Sequence, residues 1–291
     1  MGIIGKVCIA KTLLISQLVY VVQAICLPEK NLREINTILY RFLWRKKDCN
    51  RRAFEKVKRS VINSEINLGG LKMIDIKTMQ ESFLCERLAK LIHKDNHPKW
   101  TWIPSIHLRY FGKDFSCLSS TIGPKKFKGI KHVQSSYWRR AVITWLDINN
   151  KEPFFNTAKV CIWNKPNITH QNNVLFFENW TNKITYVSEI VENGSVLAFE
   201  VVETLIGPSP KLYLEYMVVF NALTNFLRKD LNTIPIPHAR FKDNPNAKSF
   251  RNFMTANAYS EPCSVRFWLN KFNCTITKEM WSMAWNKNPR S

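Results

Sequence analysis

The sequence has 291 residues, 45% of them hydrophobic and 12% aromatic, which allows one large domain or two of ordinary size and excludes a disordered chain. Its net charge of +21 is uneven, because residues 1–140 carry 27 Lys and Arg against 10 Asp and Glu, whereas residues 141–291 carry 16 against 12. This one-sided excess favours a polyanionic partner, with nucleic acid as the first interpretation and an anionic membrane surface as the second.

The first two predicted elements are helices. Residues 4–26 form an apolar run with interspersed polar positions, which makes a poor signal peptide and a poor membrane span. We therefore expect one largely buried helix that ends before Pro28. Residues 30–44 place apolar side chains at helical spacing on one face, which predicts an amphipathic helix.

A basic stretch and a glycine turn lead to the third predicted helix. Gly69 and Gly70 predict the turn, because glycine accepts a positive φ without steric cost. Residues 76–94 again carry apolar side chains on one face and are followed by Pro98, so we predict an amphipathic helix over this range.

The rest of the chain predicts a connector and further helices. Prolines and glycines are frequent in residues 96–134, whereas residues 135–147 and 211–228 have helical patterns with shorter segments between them. We predict a mainly α fold with a few possible short strands. Its four parts are a helical region at 1–95, a loop-rich connector at 96–134, a mostly helical region at 135–228, and a linker with a small aromatic tail at 229–291.

The densest basic segment spans residues 41–59, where nine Lys and Arg face two acids. Neutralising phosphates with such side chains releases counterions, so the segment is typical of a salt-dependent nucleic-acid contact. The alternative is a solvated helix end, where cations complement the helix dipole. We favour nucleic acid and expect Trp44 to anchor the segment in the core. The predicted phosphate contacts are Arg41, Arg45, Lys46, Lys47, Arg51, Arg52, Lys58 and Arg59.

A second basic stretch begins at residue 125. Its predicted phosphate contacts are Lys125, Lys126 and Lys128, and Lys131, Arg139 and Arg140 extend it. Tyr137 and Trp138 lie within the stretch and could stack on bases or pack inward. For Trp138 we expect the core.

No catalytic centre is recognisable in the sequence. There is no Asp-Asp pair, and a polymerase needs clustered carboxylates to hold two metal ions. The patterns GxxxxGK[ST], GxSxG and GxGxxG are also missing. We therefore predict no catalytic residue, no cofactor and no small-molecule substrate.

Histidine and cysteine residues do not predict a metal site either. His93 and His97 have helical spacing but lack the glutamate of HExxH and a third ligand, and Cys263 and Cys274 have no histidine near them. The eight cysteines contain no CxxC pair and are scattered, which is typical of reduced, intracellular thiols. Whether the compartment is the nucleus or the cytoplasm stays open.

Three stretches, in this order, resemble the region that follows the reverse transcriptase active site in non-LTR (LINE-type) retrotransposon polyproteins. The first contains Ile4-Gly5-Lys6-Val7 and Leu27-Pro28. The second runs from Phe42-Leu43-Trp44 through a basic stretch to Gly69-Gly70-Leu71-Lys72-Met73, and its spacing is the most specific signal. The third contains Ile162-Trp163-Asn164-Lys165-Pro166 and Phe176-Phe177-Glu178-Asn179-Trp180.

The resemblance implies a thumb of packed helices over residues 1–95 that touches the primer–template duplex, followed by a mostly helical extension that helps to hold template RNA and target DNA. It also implies a reverse transcriptase palm domain as a partner. The paired aspartates of that family are missing here, so polymerase activity is not carried over, and we expect a non-catalytic fragment that binds RNA or DNA, with no membrane association. The alternatives are a vestigial or protein-interaction product of a decayed element, and the end of a longer polymerase gene.

Overall fold

The computed structural model describes residues 2–44, 57–92, 100, 102–151, 160–192, 194–228, 246–258 and 280. Over these residues the protein is mainly helical with a few short strands, so the predicted fold class is confirmed. The chain divides into two compact units. Met1–Phe83 and Asn246–Ser291 make the first unit, and Leu84–Pro245 make the second.

The first unit begins with a continuous helical run, Ile3–Ala24. The run consists of α1 (Ile3–Ile9), a π-helical stretch (Ala10–Ile15) and α2 (Ser16–Ala24). Side-chain hydroxyls bond to its backbone, since Thr12 Oγ1 donates to the Cys8 carbonyl at 2.9 Å and Ser16 Oγ to the Thr12 carbonyl at 2.6 Å. Such bonds compete with the regular helix ladder and accompany its local departure from α geometry.

Most residues of the helical run Ile3–Ala24 are exposed or half-buried, so the prediction of a largely buried helix is wrong. Only 22% of its most apolar window is buried, and Leu13 and Tyr20 are 58% and 78% exposed. By length and composition alone the run could cross a membrane, although signal sequences and core helices of soluble proteins pass the same test. Its buried hydrophobic residues are Val7, Ala10, Ile15 and Val22.

The core of the first unit joins these helices to three more. They are α3 (Glu29–Trp44), α4 (Arg59–Asn63) and the beginning of α5 (Ile76–Ile92). The side chains that meet in the core include Leu39, Leu43, Ile62, Ile76 and Met79, each of which is at most 3% exposed. Each such burial contributes about 1.5–3 kcal/mol relative to an exposed side chain. The helix Ala247–Ala258 also belongs to this unit.

The glycine turn is present, and its two glycines serve different purposes. Gly69 has a φ of +77°, in the left-handed region that glycine accepts most readily. Gly70 allows a close backbone approach instead, because a Cβ there would lie 2.0 Å from the Ser64 carbonyl oxygen. The turn brings Met73 back to α4, where its N–H donates to the Ile62 carbonyl at 3.1 Å.

The second unit is built from helices, short 3-10 turns and two small hairpins. After the remainder of α5 its helices are α6 (Trp102–Leu108), α7 (Ser136–Lys151), α8 (Glu178–Thr181), α9 (Phe199–Ile206) and α10 (Leu212–Arg228). The 3-10 turns are Arg109–Phe111, Lys113–Ser119, Ile130–His132 and Val187–Glu189. The residues 102–134 that we predicted as a connector thus contain short helical elements and belong to this unit.

Both hairpins of the second unit are antiparallel and very short. β1 (Thr169–His170) pairs with β2 (Asn173–Val174), and β3 (Val191–Glu192) pairs with β4 (Ser195–Val196). The turn between β1 and β2 places both Gln171 and Asn172 at positive φ, which is the geometry of a type I′ hairpin turn.

Three fully buried tryptophans organise the core of the second unit. Each indole N–H has an acceptor: Trp145 donates to the Leu118 carbonyl at 2.9 Å, and Trp163 to the Ile184 carbonyl at 2.7 Å. Trp180 donates to Glu215 Oε2 at 2.8 Å. Burying these rings therefore leaves no indole donor unsatisfied among the three, and the core gains their large apolar area at no polar cost.

Candidate nucleic-acid interface

Both ends of the predicted basic segment pack on the core of the first unit. At the end of α3, Leu43 is buried and Trp44 is half-buried against the core, as expected of an anchor. On the far side, Val57 packs against the same core and Ile62 is fully buried. The predicted contacts between these ends, Arg45, Lys46, Lys47, Arg51 and Arg52, lie outside the described residues.

The three described members of this segment differ in their surroundings. Arg41 and Lys58 are exposed, and Lys58 immediately precedes α4. The guanidinium of Arg59 lies 4.6 Å from the centroid of the Tyr40 ring. Tyr40 is buried and donates its hydroxyl to Asn63 Oδ1 at 2.5 Å. Arg59 is therefore tied to the fold by a cation–π contact, whereas Arg41 and Lys58 are exposed and form no ion pair with a described acid.

A cavity of about 150 Å³ in the first unit brings together three cations that lie far apart in sequence. They are Lys11, Lys72 and Arg251. Two acids also line the cavity, and both have partners: Glu65 Oε2 lies 2.8 Å from Lys72 Nζ, and Asp75 accepts from Asn36 and from Thr78.

Of the three cavity cations, Lys11 and Arg251 form no ion pair with an acid among the described side chains. Lys11 Nζ donates one hydrogen bond, to the Leu71 carbonyl at 3.1 Å, and an ammonium has two further N–H groups. Burial lowers the pKa of Lys11, and the charges of Lys72 and Arg251 lower it further, whereas Cys8 and Glu65 act in the opposite direction. An anion in the cavity would offset this repulsion.

The second unit contains a more exposed basic site, which we name the lysine loop (residues 125–131). Lys125, Lys126, Lys128 and Lys131 are all exposed. Among the residues whose side chains the structure describes, none of these four forms an ion pair with an acid. Three of them are predicted phosphate contacts, and the loop brings all four within seven residues.

A buried asparagine clamps the backbone of the lysine loop. The Lys128 N–H donates to Asn164 Oδ1 at 2.8 Å, and Asn164 Nδ2 donates to the Lys128 carbonyl at 3.0 Å. The next residue, Gly129, has a φ of +100°, and a Cβ there would lie 2.9 Å from the Phe176 ring. The loop thus presents its side chains from a fixed backbone, which lowers the ordering cost of binding.

Partly exposed rings lie beside the loop. The His132 ring is 5.2 Å from the ring of Tyr110 and 6.1 Å from that of Phe176, centroid to centroid. The exposed Arg109 places its guanidinium 4.7 Å from the Tyr110 ring centroid. Cations next to rings of this kind are typical of surfaces that stack bases of single-stranded nucleic acid.

Arg139, near the start of α7, bonds to the backbone of the fold instead. Arg139 donates from Nε and Nη2 to the Val133 carbonyl at 2.9 Å and 2.7 Å. Trp138 is 6% exposed, which confirms its predicted place in the core. Tyr137 contacts Trp138 edge-on at 5.2 Å and receives the guanidinium of Arg87 at 5.6 Å. The candidate rings beside the lysine loop are therefore Tyr110 and His132, which the sequence analysis did not single out.

Several sequence candidates cannot be placed. His93, His97, Cys263 and Cys274 lie outside the described residues. Within the described part of the chain, no group of three or more His, Cys, Asp or Glu side chains could hold a metal ion. Comparison of the sequence with protein-family models and with curated proteins gives no match.

Proposed function

We propose that this protein binds nucleic acid without sequence preference, chiefly through phosphate contacts of exposed lysine side chains. The observation that carries the proposal is the lysine loop, where four exposed lysines without described acidic partners project from a clamped backbone. Structural lysines usually have a partner, as Lys72 and Lys113 do with Glu65 and Glu189. Lysine charges that no acid of the fold compensates create a local positive potential, which attracts a polyanion.

The rings beside the loop favour single-stranded over duplex nucleic acid. A base that stacks on an aromatic ring contributes about 1–3 kcal/mol, and every base can stack because each has a π face. Tyr110 and His132 are half-buried, so part of each side chain reaches the solvent beside the loop. In the first unit, Arg41, Lys58 and the cavity with Lys11 and Arg251 would add phosphate contacts.

The resemblance to non-LTR retrotransposon polyproteins supports the same assignment at a finer level. We propose that the chain corresponds to the thumb and C-terminal extension of a reverse transcriptase, and that it acts as a non-catalytic fragment. Its contribution is to hold template and target strands. The polymerase and endonuclease chemistry would then belong to the fingers, palm and nuclease domains of that family.

A salt titration of binding tests the lysine loop. We compare the wild type with the triple variant K125A/K126A/K128A on a fluorescent single-stranded oligonucleotide between about 0.05 and 0.2 M salt. Each lost phosphate contact removes about 0.7–0.9 from the slope of log K against log salt, so the triple variant should lose roughly two units and bind more than tenfold less tightly at 0.1 M salt.

The matched control removes the same charge elsewhere. Lys30, Lys211 and Lys248 are exposed and lie outside both the loop and the cavity, so K30A/K211A/K248A changes the net charge equally. If both triple variants lose the same slope, binding depends on net charge alone and the loop is not the site. If the wild type does not bind at low salt, the function itself is wrong.

Protein interaction is a second candidate function, favoured by the exposed apolar side chains of Ile3–Ala24. Leu13, Tyr20 and Val21 are 58%, 78% and 42% exposed, an arrangement typical of a surface that another protein covers. Under the retrotransposon interpretation the partner is the palm domain. The double variant L13Q/Y20Q should raise the soluble yield of the isolated chain, whereas T12S, an exposed neutral change on the same helix, should not.

A further inference from the structure

Two cysteines that are distant in sequence meet inside the second unit. Cys117 lies in the 3-10 turn Lys113–Ser119, and Cys161 forms an isolated antiparallel bridge with Tyr186. Both side chains are fully buried, and their Sγ atoms are 3.6 Å apart. A disulfide has an S–S distance of about 2.05 Å, so the sulfurs would need to approach by about 1.5 Å. A change of this size is within reach of side-chain rotation.

The surroundings of the two sulfurs differ. The hydrogen bond between the two sulfurs lowers the pKa of Cys161, burial opposes this effect, and the nearby Lys165 charge reinforces it. Burial raises the pKa of Cys117, so Cys161 is the sulfur that ionises first. Lys165 is itself held in place, because its Nζ donates to Ser119 Oγ at 3.1 Å.

We propose that Cys117 and Cys161 form a redox-active pair that a small two-electron oxidant, a hydroperoxide, converts to a disulfide. The Cys161 thiolate attacks one peroxide oxygen, the O–O bond breaks, and the departing hydroxide takes a proton to leave as water. The resulting sulfenic acid of Cys161 is then attacked by the Cys117 sulfur, which loses its proton, and a second water leaves. Two thiols and one hydrogen peroxide thus give one disulfide and two waters.

The bond would fasten the two segments that hold the lysine loop. Cys117 is three residues before Ser120, whose hydroxyl donates to the Asn164 carbonyl, and Cys161 is three residues before Asn164 itself. The cross-link would close a long loop of chain and restrict the unfolded state, so the oxidised protein should melt at a higher temperature. The inference does not depend on nucleic-acid binding.

Peptide mapping tests the proposal directly. The folded chain is treated with hydrogen peroxide, the remaining thiols are blocked with iodoacetamide, and the product is digested with trypsin without reduction. The expected product joins the peptide 114–125 to the peptide 160–183, with a mass two hydrogens below the sum of the reduced peptides. This linked peptide should disappear after treatment with a reductant.

Two controls distinguish a disulfide between cysteines that the fold brings together from random oxidation. The eight cysteines allow many pairings, so oxidation in guanidinium chloride should spread the linkages, whereas the folded chain should favour this one. The variant Cys161→Ser should leave the Cys117 peptide alkylated and should abolish the rise in melting temperature on oxidation. The proposal is wrong if both peptides from the oxidised wild type are recovered as alkylated thiols. It is also wrong if either cysteine is linked mainly to other cysteines.

Discussion

In the first unit the described basic side chains around the predicted segment are partly used by the fold, whereas the lysine loop of the second unit leaves its side chains to solvent. Arg59 lies on the Tyr40 ring, and Lys6 Nζ donates to the Leu43 carbonyl at 3.1 Å, near the end of α3. By contrast, Lys125 and Lys126 are exposed and have no acidic partner among the described residues. A count of charges cannot distinguish these two situations.

The backbone support of the two regions also differs. The lysine loop is fixed by side-chain hydrogen bonds from Asn164, a residue 36 positions away in sequence. The basic segment of the first unit is held at its ends by apolar residues such as Leu43 and Ile62. The lysine charges therefore stay exposed and unpaired with any described acid, because other residues satisfy the backbone of the loop.

The largest effect is expected from removing the clamp. Asn164→Ala deletes two hydrogen bonds to Lys128 and places alanine at a φ of +55°. Together these changes should lower the free energy of unfolding of the second unit by about 2–4 kcal/mol, measured by urea denaturation. Binding to a single-stranded oligonucleotide should weaken, while the salt slope should stay close to that of the wild type because the lysines remain.

The control for the clamp is Asn172→Ala in the turn between β1 and β2. Asn172 has a φ of +62° and is exposed, so its substitution carries the same backbone strain without touching the lysine loop. We expect a loss of about 1–2 kcal/mol and unchanged binding. Equal effects of the two substitutions on binding would show that the clamp does not position the loop.

We expect an intermediate effect on stability from Arg59, which contacts the fold, and a smaller one from Arg41, which is exposed. Arg59→Ala removes the contact with Tyr40 and should lower the free energy of unfolding by about 0.5–1 kcal/mol. Arg41→Ala removes an exposed side chain and should change stability by less than about 0.5 kcal/mol, while reducing the salt slope of binding by about 1. A larger loss of stability for Arg41→Ala than for Arg59→Ala would reverse this distinction.

Helical elements with strong local patterns could be predicted from the sequence. The ranges 30–44, 76–94 and 211–228 closely match Glu29–Trp44, Ile76–Ile92 and Leu212–Arg228, because the spacing of apolar residues within one segment defines which face is buried. The burial of Ile3–Ala24 could not be predicted in this way. Its apolar residues do not say what covers them, and Leu13 and Tyr20 are exposed.

The candidate site could be predicted only in its charges. Lys125, Lys126 and Lys128 stand out by local composition, but the clamp depends on Asn164, and the cavity joins Lys11 to Arg251 across 240 positions. Contacts at such separations leave no periodic signal. The role of Arg139 was similarly hidden, because a guanidinium that bonds the Val133 carbonyl and one that bonds a phosphate have the same sequence context.

The smallest expected effect concerns a lysine that has a partner. Lys113 Nζ lies 2.7 Å from Glu189 Oε1, and Glu189 also accepts from the backbone N–H groups of Thr185 at 2.6 Å and Tyr186 at 3.1 Å. Burial alone would raise the pKa of Glu189, but these hydrogen bonds and the Lys113 charge outweigh it, so the pKa lies below its ordinary value. The carboxylate therefore stabilises the fold at neutral pH.

The sign of the pH dependence follows from this lowered pKa. Stability contributed by Glu189 is fully present above the unfolded pKa of about 4.3 and is lost as the pH falls through the lower folded value. Glu189→Gln should cost about 1 kcal/mol at pH 7 by urea denaturation, and the difference from the wild type should shrink towards pH 3. The control Glu192→Gln removes the same charge from an exposed strand residue and should cost less at either pH.

Lys113→Ala completes this contrast with the lysine loop. Because Lys113 is paired with Glu189, its loss should lower stability by a few tenths of a kcal/mol, as is usual for a surface ion pair, and should leave the salt slope of binding unchanged. Lys126→Ala should do the reverse, with unchanged stability and a slope lower by about 0.7–0.9. If both substitutions lower the salt slope of binding equally, a lysine that is paired with an acid still contributes to binding. The distinction between paired and unpaired lysines would then be wrong.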